Sequence, residues 1–341
     1  MPAGYGYRPA AGGIDTQLSA MTRRAELAKV VVQIWNSSPT ICALLSNAQL
    51  EAGGVDSVVA NVQYAQLVQP QWTSFQGNFS APTVVQGIQP ATWTFCWAVC
   101  PIPVMISELL IQEEQAIQSI LSMRMTDAGN AMRDMLAFSL YNNVSNTLQI
   151  LGLPAAVDDG TTAATYGGIS RGTAPWWQSK RYNVNGALTR QNLSQYILGC
   201  VNQQGEAPDF IVVHPGVWAN LYADILATGN AGSERYFPNQ DKTDKYLSSF
   251  RAIEVAGVPV YMDPYVPNTA GTQTTNVGYL LNTNYVTLKV HQAAQWEFMD
   301  FVPMTPVFQL SYTGVAYIVL ALVNVKPTAS VKLFNINAFA L

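Results

Sequence analysis

Charge is what this sequence has least of. Asp, Glu, Lys and Arg make up 11% of its 341 residues, against roughly a quarter in an ordinary soluble domain. A free monomer of this size covers itself with charged side chains, so much of the surface is expected to be covered by something else. The net charge is −4, and no basic tail or stripe marks a protein that reads nucleic-acid sequence. The four cysteines, Cys42, Cys96, Cys100 and Cys200, are too few for a disulfide framework and point to a reducing compartment. No apolar run approaches the ~20 residues of a membrane helix. The longest, Val315 to Val325, ends in Asn-Val-Lys-Pro and is rich in β-branched residues, so it reads as a buried strand. The N-terminal MPAGYGYRPAAGG lacks an apolar core and is not expected to be a signal peptide.

The usual signatures of chemistry are also missing. There is no GxxxxGK[ST] phosphate loop, and Gly4 and Gly6 follow no strand, so they do not make a dinucleotide fingerprint. Cys96 and Cys100 lack a second Cys/His pair at zinc spacing and read as core cysteines. The two histidines, His214 and His291, have no Ser and Asp in a nucleophilic-triad order. Asp158–Asp159 and Glu113–Glu114 are adjacent in sequence, which turns their side chains apart. No catalytic residue, metal ligand or cofactor site is expected.

What is present is an order of parts. At ~150 residues per domain the length allows two compact units or one large one. Residues 1–14 read as an extended arm, and Leu18, Met21, Leu27, Val30, Val31 and Ile34 recur at helical spacing behind a cap at Asp15 or Thr16. From Ser57 to Ser107 there is no charged residue at all. Val58, Ala60, Val62 and Tyr64 alternate with polar residues at one end. At the other, Trp93, Phe95, Trp97 and Val99 oppose Thr92, Thr94, Cys96 and Ala98. Period two predicts a long two-stranded arm with a turn-rich tip, and an isolated hairpin needs a surface to lie on. A helix of ~60 Å is predicted from Ser107 to about Asn146, with Leu110, Ile117, Leu121, Met125, Ala128, Met132, Leu136 and Leu140 as its stripe. A helix stopped at Gly205 follows, then a buried strand ending at His214-Pro215, another helix, and a strand pair turned at Gly257. From Val277 onward nearly everything reads as strand.

Between these parts lies YGGISRGTAPWWQSK, Tyr166 to Lys180, with two adjacent tryptophans in an apparent loop. This segment is similar to the Gly-Gly-Ile-Asp/Ser-Arg…Trp stretch of tailed-bacteriophage major capsid proteins. APDFIVVHPGVWANL, VAGVPVYMDP and YLLNTNYVTLKV resemble that family's central segments in the same order. The resemblance covers roughly residues 50 to 341. It implies an α+β chain of the Hong Kong 97-type capsid fold. Residues 1–48 would be the N-terminal arm and 49–105 the extended β-hairpin loop. Residues 106–150 with 285–327 would form the peripheral domain around a long spine helix, and 151–284 with 328–341 the α/β axial domain.

The function implied is a structural one, an icosahedral head assembled in a host bacterium's cytoplasm from pentamers and hexamers of this chain around the phage DNA genome. The partners implied are copies of itself, a portal and non-specifically contacted DNA, with no membrane. No scaffolding segment precedes the arm, which implies a separate scaffolding protein or none, and an outer decoration protein is left open. Some relatives weld the shell through a loop lysine. Here the lysines are Lys29, Lys180, Lys242, Lys245, Lys289, Lys326 and Lys332, so the loop has no amine to donate. Charge-poor interfaces are anchored by aromatics and Arg. The expected intersubunit contacts are Trp72, Phe75 and Phe79 near the loop tip, with Arg171, Trp176, Trp177 and Arg181. For the tryptophan pair the alternative is a plug in their own domain's core. Two other functions stay open: a shell protein of the encapsulin type, which shares the fold, and a β-rich carbohydrate-binding module.

Overall fold

The computed structural model describes residues 38–51, 56–66, 70–73, 75, 77, 86–106, 114–201, 206–227, 252–267, 276–304 and 311–337. In chain order, α1 (Pro39–Ser46) leads to β1 (Gln49–Glu51), β2 (Ser57–Gln63), β3 (Ile88–Thr94) and β4 (Cys96–Met105). The long helix α2 (Glu114–Asn142), the single turn α3 (Leu153–Ala156), and the short strands β5 (Thr165–Tyr166) and β6 (Ile169–Ser170) follow. After β7 (Lys180–Ala187) come α4 (Arg190–Cys200), β8 (Phe210–Val213), α5 (Pro215–Ala227), β9 (Ala252–Val255) and β10 (Val258–Met262). The chain continues through β11 (Val277–Leu281), β12 (Val286–His291), β13 (Glu297–Pro303), β14 (Ser311–Asn324) and β15 (Val331–Asn337).

Two sheets carry the body. One runs β1-β12-β14-β13, with β4 also on β14; the other runs β7-β15-β11-β8-β10-β9. The apolar run expected as a strand is the C-terminal half of β14, buried on both faces from Ile318 to Asn324. It pairs antiparallel with β12 and, further back, with β4 over ten positions. Met125, Ala128, Met132, Leu136 and Leu140 of α2 are buried, as the stripe requires. Leu110 lies outside the described residues, as do the side chains of Ile117 and Leu121. The core is split by the six-stranded sheet, because a strand alternates its faces. Phe210 and Val212 of β8 join the larger cluster with α1, α2 and the first sheet. Ile211 and Val213 join the smaller one beneath α4 and α5.

Three expectations change in detail. The helix α4, capped by Thr189 accepting from the Asn192 N–H, ends at Cys200, not at Gly205. Its last residue is a buried core thiol, pushed up to about 12 by burial. The alternation Trp93-Phe95-Trp97-Val99 does not belong to one strand. Phe95 lies between β3 and β4, and Phe95 and Cys96 are both buried. The phase therefore slips by one residue, which turns Trp97 and Val99 outward. Finally, β4, expected within the loop that ran to residue 105, is a strand of the first sheet. Only β2 and β3 pair as a separate hairpin, from Ser57↔Thr94 to Gln63↔Ile88.

A buried carboxylate ties the pieces at their junction. Asp263, just after β10, accepts from Ser38 Oγ and from Tyr141 Oη at 2.9 Å. Thr40 Oγ1 meets the same Tyr141 hydroxyl at 2.6 Å. One side chain thus joins the cap of α1, the end of α2 and the six-stranded sheet.

The β9–β10 turn gives a stability test. Val255 faces Val258 across two residues, Ala256 and Gly257, both at positive φ (50° and 81°). That is the backbone of a two-residue hairpin turn for which Asn-Gly is preferred, and an L-residue other than Gly or Asn is strained there. Ala256→Asn is expected to stabilise the unassembled subunit by up to about 1 kcal/mol, measured by equilibrium denaturation.

Candidate subunit-contact surface

The segment Tyr166 to Lys180 folds as a knot. Arg171 is 0% exposed, and its guanidinium donates to three backbone carbonyls: Ala163 at 3.0 Å, Ala156 at 3.3 Å and Trp177 at 3.3 Å. It also lies over the Tyr166 ring. Burial holds it below its ordinary pKa, partly offset by the Asp158 charge. Trp177 is 1% exposed and donates its indole N–H to the Tyr166 carbonyl at 2.9 Å. The Tyr166 hydroxyl accepts from the Asn324 N–H at 3.0 Å, so the knot is fastened to the end of β14.

The base of the β2–β3 hairpin is set into this knot. Trp93 packs edge-on against Tyr166 and is tilted against Trp177. The Thr92 N–H donates to Gly167 O at 2.9 Å. Gly167 has φ +58°, and a Cβ there would come within 3.1 Å of the Trp93 ring, so both conformation and space call for glycine. Trp176, half-buried, stacks on Tyr64 with centroids 4.7 Å apart. The Tyr64 hydroxyl donates to Gln86 O at 2.6 Å, pinning the two strands where they leave the body.

The expected contact residues therefore divide. Arg171 and Trp177 are interior to their own subunit and offer a neighbour no surface; the plug alternative describes Trp177. Trp176 is a clamp on the hairpin, with part of its ring exposed. Arg181 is half-buried, 3.2 Å from Asp159 and lying over the Phe334 ring. Trp72 and Phe75 are fully exposed. Phe79 lies outside the described residues.

A second apolar surface escaped the sequence reading. Trp97 on β4 is 65% exposed, stacks on Tyr317, and walls a groove between β4 and α2. Met135 lines the same groove, as does Leu148, which is 82% exposed. Phe138 is also exposed on α2. Met135 and Phe138 sit off the buried stripe, and apolar residues off a stripe were the available signal. Trp97 was hidden by the phase slip at Phe95.

Among the described residues no three His, Cys, Asp or Glu side chains are grouped to hold a metal ion. No helix among them is long and apolar enough to cross a membrane.

No protein-family model matches the chain, and no curated protein matches it in sequence. Solved structures do match in fold. The capsid asymmetric unit of cyanophage A-1(L) superposes with a TM-score of 0.65 at 16% identity, covering 88% of this chain and 93% of that one. The fold is that of a Hong Kong 97-type capsid subunit. A native GTA particle capsid gives a TM-score of 0.55 at 12% identity, covering 88% and 90%. The holo-SrpI encapsulin of Synechococcus elongatus PCC 7942 gives 0.52 at 13%, again covering 88% and 90%. At such identities the likeness is one of fold. Among the described residues, the hairpin exposes Trp72 and Phe75, and the β4–α2 groove exposes Trp97 and Leu148.

Trp177→Ala is expected to destabilise the subunit by about 3–5 kcal/mol, the usual loss for a large buried aromatic. Trp176→Ala is expected to cost much less stability but to loosen the far end of the strand pair at Tyr64. Chymotrypsin should then cleave at Trp72 or Phe75 several-fold faster than in the parent protein. Equal stability losses with unchanged cleavage would contradict these separate roles.

Proposed function

We propose that this chain is the major capsid protein of a tailed bacteriophage, a structural subunit that assembles with copies of itself as pentamers and hexamers around packaged DNA. The observation that carries the reading is the capsid fold joined to a hairpin that is uncharged throughout and ends in exposed aromatics. A soluble monomer gains nothing from presenting Trp72 and Phe75 to water. Burying one such aromatic at an interface is worth roughly 1.5–3 kcal/mol, repeated at every copy of the shell.

In this reading the β2–β3 hairpin is the extended loop that lies on a neighbouring subunit, and the loop ends at Phe95, where the chain enters the first sheet. That sheet with α2 serves as the peripheral domain (106–150 and 285–327, with β4 added). The six-stranded sheet serves as the axial domain (151–284 and 328–341). The virion is the site of action. A portal and a separate scaffolding protein belong to the same proposal, as does assembly in the host cytoplasm. The structural role needs no enzyme activity. With 17 basic and 21 acidic residues the chain neutralises little phosphate, so its contact with DNA should be weak and indifferent to sequence. The encapsulin likeness supports a second reading, a shell that encloses a cargo protein instead of a genome. The four phage-like segments favour the first.

Expression of the chain with its neighbouring genes is expected to yield closed particles by negative-stain microscopy. Boiling them in detergent should release one band near 37.1 kDa, because the loop offers no lysine for a covalent weld. The particles should survive high salt, which screens charge but not apolar contact. The double variant Trp72→Ser, Phe75→Ser should keep its subunit stability and lose most particle yield. A permanently monomeric parent protein would contradict the proposal, and a protein cargo with no DNA inside would favour the second reading.

A further inference from the structure

The face of the six-stranded sheet turned to the larger core is apolar along β8, β10 and β11, where Phe210, Tyr261 and Tyr279 join that core. At the start of β7 and β15 the same face is polar. Val331 and Leu333 point into the smaller core, so strand alternation puts Ser330 and Lys332 on the other side. Arg181 stands opposite Lys332 and Lys180 opposite Val331. Ser179 is therefore set beside Ser330 in this parallel pair. The loop after α3 closes over all four. The Ser179 N–H donates to Asp158 O at 2.9 Å, and Arg181 Nη1 lies 3.9 Å from Asp158 Oδ1. Asp158 and Ser330 are 0% exposed, Ser179 3% and Lys332 7%.

Among the described residues, four buried atoms here have no hydrogen-bonding partner: Asp158 Oδ1, Ser179 Oγ, Ser330 Oγ and Arg181 Nε. So many in one place is unusual, since native proteins leave few buried polar groups unpaired. Asp158 and Arg181 are held in place. Asp158 Oδ2 is held by the N–H groups of Gly160, Thr162 and Ala163 at 2.9, 2.7 and 3.0 Å. Arg181 is fixed by Asp159 and by the Phe334 ring, 4.5 Å away. The kind of occupant follows from the mixture of donors and acceptors. A metal cation is opposed by Arg181 and Lys332. The three cations Arg171, Arg181 and Lys332 outnumber the carboxylates of Asp158 and Asp159, which would favour an anion. An anion accepting from Arg181 Nε would, however, face the bare Asp158 Oδ1. Only a group that both donates and accepts serves all four atoms, and buried water does this with two to four bonds.

We propose that the polar cluster between the Asp158–Ala163 loop and the β7–β15 face is a built hydration site. Its water donates to Asp158 Oδ1, accepts from Arg181 Nε and bridges the hydroxyls of Ser179 and Ser330. The water joins the charged loop to the sheet where the direct Asp158–Arg181 pair is too long for a hydrogen bond. The inference is independent of the capsid function. Two measurements test it. In an experimental map at better than 2 Å, water is expected within hydrogen-bonding distance of at least two of the four atoms. A dry cluster with Asp158 and Arg181 in direct contact, or a bromide anomalous peak after a soak, overturns the proposal. Separately, Ser179→Ala and Ser330→Ala should each lower the Tm of the unassembled subunit by a few degrees, because each removes a water-bonded hydroxyl. If the hydroxyls are simply unpaired, their removal leaves Tm unchanged or raises it, and the proposal fails.

Discussion

A guanidinium buried without a hydrogen-bonded carboxylate must place its donors on other oxygens, and Arg171 places three on the backbone carbonyls of Ala156, Ala163 and Trp177. Those three residues lie on three separate turns of an irregular stretch that has no ladder of its own beyond the two-residue pair β5–β6. The bonds to Arg171 give the stretch a fixed shape. Trp177 then fills its centre, Tyr166 fastens it to β14, and Gly167 leaves room for Trp93. Removing Arg171 would take the side-chain donor from the carbonyls of Ala163 and Trp177, each costing roughly 1–3 kcal/mol, while Ala156 O keeps its bond from Asn324 Nδ2. The hairpin base would lose its seat with them.

That seat matters because the hairpin has little else. Its strands bury Val58, Ala91 and Trp93 and half-bury Ala60 and Val62 against the body, while Val59, Trp72, Phe75 and Ile88 face outward. Two strands without a sheet or a second layer are marginal in water. The knot carries the hairpin in the free subunit and leaves its apolar residues available to another surface. The low charge of the chain fits the same division, because the hairpin exterior carries no charged residue.

Much of this was legible in the sequence because periodicity reports burial. The stripe of α2, the buried strand ending at His214 and the turn at Gly257 follow from spacing alone. The tryptophan loop was not legible in the same way. Two aromatics side by side in an aperiodic segment carry no phase, so nothing in the pattern told Trp177, inside, from Trp176, at the edge. The position of Trp97 was lost for a related reason. The alternation was real on both sides of Phe95, but the chain changes sheets there, and two successive buried residues reverse every face that follows. The pairing of Ser179 with Ser330 and of Arg181 with Lys332 depends on strands some 150 residues apart in the chain, a distance over which periodicity says nothing.

The central claim is that the knot is interior to each subunit and the hairpin tip is the part that meets another. A cryo-EM map of the assembled particle tests this most directly. The account predicts Trp177 and Arg171 enclosed by their own chain, with Trp72 and Phe75 buried against a second copy. Trp177 turned into a neighbour, or Trp72 and Phe75 still open to solvent in the closed shell, would contradict it.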